Sequence, residues 1–63
     1  MNEGDRERLL RINERVEGIE RLALELKQLG QGVPAVEKNA ETILSTVFVL
    51  KFGISDVAGI DIP

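Results

Sequence analysis

The chain has no cysteine, histidine, tryptophan or tyrosine among its 63 residues, and only two phenylalanines and two prolines. Each absence removes a class of chemistry. Without cysteine there is no disulfide framework, and without cysteine and histidine the usual ligands of a structural zinc site are missing. The usual nucleophile–base pairs are missing for the same reason. The only hydroxyl side chains are Thr42, Ser45, Thr46 and Ser55. Ser45 and Thr46 sit within an apolar stretch, where a hydroxyl ordinarily bonds the carbonyl four residues earlier. The carboxylate di-metal sites of helical bundles use a Glu-x-x-His pattern, which this chain cannot supply. Gly30-Gln31-Gly32 lacks the Lys-Ser/Thr that completes a phosphate-cradling loop. The expectation is a protein with no catalytic residues, no cofactor, no metal and no small-molecule substrate.

Long apolar runs and clustered positive charge are also missing. No stretch approaches the roughly 20 apolar residues of a membrane span; Val47 to Leu50 is followed at once by Lys51. The first residues are too polar for a secretory leader, so the expected location is cytoplasmic. The net charge is −3, which argues against binding phosphate backbones through a basic patch. Arg6, Arg8, Arg11, Arg15 and Arg21 alternate with Glu7, Glu14, Glu17 and Glu20, the pattern of a solvated, ion-pair-laced helix face. Glu7 with Arg11 and Glu17 with Arg21 stand in the favourable i,i+4 order.

What is present is heptad periodicity. Leu9, Ile12, Val16, Ile19, Ala23 and Leu26 step by three and four, as in a coiled-coil seam. Leu22 and Leu29 broaden that seam, while Leu10 and Leu24 fall off it. The spacing predicts a helix over residues 5–29, with Gly30 as a left-handed C-terminal stop. Gly18 lies inside this helix and reads as a glycine tolerated on its outside. A turn over residues 30–34 follows, and Pro34 suits the first turn of a second helix. There Val36, Ala40, Ile43, Val47, Leu50 and Ile54 keep the same spacing. Ile43 to Phe52 is rich in β-forming residues, but the unbroken 4-3-4-3 spacing favours helix over residues 35–52. Gly53 is expected to end it, leaving a tail over residues 53–63 that folds back on the bundle or reaches a partner.

One fragment, Leu50-Lys51-Phe52-Gly53-Ile54-Ser55-Asp56-Val57-Ala58, resembles the turn of helix-turn-helix regulators over about nine residues. That resemblance implies a DNA-associated regulator turning at Gly53-Ile54-Ser55. No lysine or arginine follows Lys51 to contact phosphates, so nucleic acid stays an alternative partner.

The fold class expected for residues 1–63 is all-α, a single antiparallel two-helix hairpin. A 63-residue chain buries only roughly 60% of its unfolded surface, and small scaffolds add disulfides, metals or oligomerisation. Only the last is open here. The second helix is apolar on too many sides for one hairpin to cover, so a homodimer closing a four-helix bundle is expected. Ile43, Val47, Phe48, Leu50, Phe52 and Ile54 are assigned to the subunit interface, with Phe48 its most sensitive position. The expected function is a non-catalytic homo-oligomeric interaction module, an adaptor or small regulatory subunit. A second protein partner would dock on the second helix or the tail. A small structural subunit of a larger enzyme complex is the remaining alternative.

Overall fold

Two helices, α1 (Glu3–Leu29) and α2 (Pro34–Ala58), pack as a hairpin in a computed structural model. It describes residues 3–58, with side chains through Ile54. At 1.5 Å per residue the 27- and 25-residue helices are about 40 and 37 Å long, and the hairpin spans 47 × 17 × 16 Å. There is no strand among the described residues, so the heptad spacing outweighs the β-forming composition of residues 43–52. Acidic Glu3 and Asp5 in the first turn and Lys27 in the last suit the helix macrodipole.

The connection is made by two glycines with different tasks. Gly30 N–H still donates to the Leu26 carbonyl at 2.8 Å, in helical fashion. Val33 N–H then donates to the Gly30 carbonyl at 2.9 Å, closing a four-residue turn with Gly32 third at φ 87°. A positive φ at that position alone matches a type II turn and requires a residue without a Cβ. The left-handed residue is therefore Gly32, not Gly30 as expected. Gly30 is needed for space: it is buried, and a Cβ there would run into Val36 Cγ1 and lie 3.0 Å from the Leu26 carbonyl oxygen.

Pro34 opens α2, where its missing N–H costs nothing. The Val33 carbonyl accepts from Val36 N–H at 3.0 Å and Glu37 N–H at 3.1 Å, starting the helical ladder. Glu37 reaches back to accept from Gly32 N–H at 3.4 Å, tying the turn to the helix.

Gly53 does not end α2, and the expected tail begins in a helix instead. The backbone is helical through Gly53-Ile54-Ser55 to Ala58, so the helix-turn-helix-like turn is not formed. A helix-interior glycine costs about 1 kcal/mol relative to alanine. Ile54 lies seven residues beyond Val47 and is half-buried on the same line of α2, so its packing offsets that cost. The rest of the expected tail, residues 59–63, lies outside the described residues.

Among the described residues the buried hydrophobic side chains are few and small: Val16, Ala23, Ala40 and Val47. Leu9, Val16, Ala23 and Gly30 are seven apart on α1, as are Ala40, Val47 and Ile54 on α2. One heptad line from each helix meets the other, and small residues along both lines permit close approach.

Gly30→Ala is expected to destabilise the hairpin by about 1–3 kcal/mol, because it overpacks against a β-branched side chain and a carbonyl. Gly18→Ala is expected to stabilise it by about 1 kcal/mol, since a Cβ there meets nothing within 4 Å. Urea unfolding followed by circular dichroism measures both, and equal midpoints would contradict the two roles.

Candidate interaction surface

In a coiled hairpin, residues four beyond the buried line fall on one side of the helix and residues three beyond it on the other. The side four beyond carries Asn13, Glu20 and Lys27 on α1, and Leu44 and Lys51 on α2. Lys51 Nζ meets Glu20 Oε1 at 2.9 Å, and Lys27 Nζ meets Glu41 Oε1 at 3.6 Å. Both ion pairs bridge the helices, so these sides of α1 and α2 share one face of the hairpin. Apart from Leu44, the residues on that side are polar, and the two ion pairs bridge it.

The side three beyond carries Ile12, Ile19 and Leu26 on α1, and Ile43 and Leu50 on α2. These lie on the opposite face, with exposures of 41, 46, 43, 38 and 43%. Leu22 and Leu29 extend it at the outer edge of α1, at 62 and 85%. No charged side chain lies between Ile12 and Leu26 or between Ile43 and Leu50 on their own lines, while Arg8 and Arg15 precede Leu22 on the outer edge. The sequence pattern placed Ile12, Ile19 and Leu26 in the seam between the two helices and Ile43 and Leu50 at a subunit interface; in the structure all five line one outer face of the hairpin. The half-buried positions beside the seam are polar Asn13, Glu20 and Lys51, together with Leu44.

The six residues expected at a subunit interface therefore separate into three environments. Val47 is 2% exposed and Ile54 half-buried, both on the line of α2 that meets α1, so neither faces outward from the hairpin. Ile43 and Leu50 belong to the apolar face. Phe48 and Phe52 are 60 and 54% exposed and stack edge-to-face, with ring centroids 4.8 Å apart at 74°. By helical position they lie around the outer side of α2, away from the Ile43–Leu50 line. The α1 members of the apolar face were assigned to the hairpin seam, because spacing alone does not tell which flank of a buried line turns inward.

Elsewhere the side chains satisfy themselves locally. Thr46 Oγ1 donates to the Thr42 carbonyl at 3.0 Å, as expected of a hydroxyl in a helix, and Thr42 does the same to Lys38 at 3.1 Å. Arg11 forms the expected pair with Glu7 at 2.8 Å. Glu17 accepts instead from Asn13 Nδ2 at 3.1 Å. Among the described residues no group of three or more acidic side chains is placed to hold a metal ion, and no helix is long and apolar enough to cross a membrane.

Compared with protein-family models, curated proteins and solved structures, the chain matches none of them.

Val47→Ala is expected to cost about 2 kcal/mol, from two lost methyl groups and the cavity left behind. Phe48→Ala removes more atoms but should cost only about 1 kcal/mol, the scale of an exposed aromatic pair. Chemical unfolding of both variants tests this order, and a costlier Phe48 would return it to an interface.

A double-mutant cycle with Glu20→Gln and Lys51→Met should give a coupling of about 0.3–1 kcal/mol, since both groups are partly solvated. The coupling should shrink in high salt. A value unaffected by salt would mean the pair is enclosed by something beyond the single hairpin.

Proposed function

We propose that the protein is a non-catalytic, homo-oligomeric interaction module, an adaptor or small regulatory subunit whose hairpins close a four-helix bundle in pairs. One observation carries this reading. The buried core is two valines and two alanines, while thirteen large hydrophobic side chains, eleven of them leucine, isoleucine or phenylalanine, are exposed among the described residues. Scattered surface leucines need no partner. Here seven of the thirteen gather on one face, whose central lines carry no charge from Ile12 to Leu26 or from Ile43 to Leu50, the mark of an interaction site. The residue inventory supports a role without chemistry, since the threonine hydroxyls bond their own helix and no histidine or cysteine is present. A cytoplasmic setting suits a chain without cysteines.

Sedimentation velocity over a range of concentrations tests the reading. The expected result is a particle of twice the 7.0 kDa chain mass, highly helical by circular dichroism and melting at a temperature that rises with concentration. A folded monomer at micromolar concentration would overturn self-association. A chain unfolded when alone would point to an obligate subunit of a larger complex.

A further inference from the structure

We infer that the occupant of the Ile12–Ile19–Leu26 and Ile43–Leu50 face is the same face of a second copy, the aromatic side of α2 being left outside the contact. This rests on the self-association proposed above and says which surface performs it. Three observations single out that face. The opposite face is closed by Glu20–Lys51 and Lys27–Glu41, whose charges would have to be desolvated in any contact. The apolar face has no charge between Ile12 and Leu26 or between Ile43 and Leu50 on its two central lines, so these lines meet their own copy without repulsion. It also gathers seven of the thirteen exposed large hydrophobics, Ile12, Ile19, Leu22, Leu26, Leu29, Ile43 and Leu50.

The rotation of both helices points the same way. In a four-helix bundle each helix packs against two neighbours, so a line beside the first contact turns toward the shared core. Val16, Ala23, Ala40 and Val47 make that first contact, leaving the lines of Ile19 and Leu50 to face the core. A hairpin optimised to stand alone would turn these large aliphatics inward and place Asn13 and Glu20 outside. An isologous contact uses one patch twice, so two lines from each hairpin enclose a four-line core.

The test compares Ile19→Asp and Leu50→Asp with Phe48→Asp and Phe52→Asp by sedimentation. The first two are expected to weaken self-association at least about 100-fold, the scale of burying an unpaired charge; the aromatic variants should keep the wild-type mass. Since an aspartate variant can also fail to fold, single thiols give a second readout in a chain with no other cysteine. Ile19→Cys and Leu50→Cys should react with a maleimide at least about 10-fold more slowly when concentrated than when diluted, and Phe52→Cys equally fast at both. Concentration-independent rates at Ile19→Cys and Leu50→Cys in a dimeric protein would overturn the face while leaving self-association standing. Protection confined to Phe52→Cys would move the contact to the aromatic side. A monomeric wild type would overturn self-association and the occupant together.

Discussion

Close approach of the two helix backbones is the constraint on which the rest of this structure depends. Gly30 lies against Val36 with no room for a Cβ, and Ala23 and Ala40 continue the same small-residue lines. Helices that meet through glycine and alanine bury little apolar area, because the residues that let them close in have little side chain to bury. The contact thus defines geometry well and contributes stability poorly. Turn chemistry goes with it: Gly32 takes the positive φ that reverses the chain, so Gly30 can keep its helical hydrogen bond while packed against Val36.

A narrow seam leaves the flanks to be decided by weaker effects. On one flank two ion pairs bridge the helices, and partly solvated pairs contribute about 0–1 kcal/mol each. On the other, five large aliphatics remain about two-fifths exposed. Completing the burial of such a side chain is worth on the order of 1 kcal/mol, part of the 1.5–3 kcal/mol for full burial. Five of them outweigh the ion pairs severalfold. The hairpin therefore holds the weaker interactions inside itself and leaves the larger apolar contribution incomplete on its surface.

Much of the architecture was legible because local chemistry and periodicity agreed. The start of α1 falls two residues before the expected one, its end at Leu29 was read correctly, and Pro34 stands in the first turn of α2 as its ring geometry predicts. Legibility failed wherever a local signal competed with packing. Gly53 reads as a helix stop, yet Ile54 packs on the seam a heptad after Val47 and carries the helix past it. Gly30 reads as a left-handed cap, yet its lack of a side chain is spent on contact with Val36. Phe48 reads as an interface anchor because it is large and aromatic, but its helical position turns it away from both the seam and the aliphatic face.

The amino-acid sequence by itself determined two long helices, the turn between them and an excess of apolar surface, because these follow from spacing, glycine and proline geometry and composition. Only the tertiary structure decided the rotation of each helix about its own axis. A heptad pattern places apolar residues on both flanks of a central line, and residues three and four beyond that line are equivalent until a neighbouring backbone occupies one side. Contact through Val16, Ala23, Ala40 and Val47, with Glu20 and Lys51 bridging beside it, breaks that equivalence. It turns Ile12, Ile19, Leu26, Ile43 and Leu50 outward together, a juxtaposition that neither helix's sequence encodes alone.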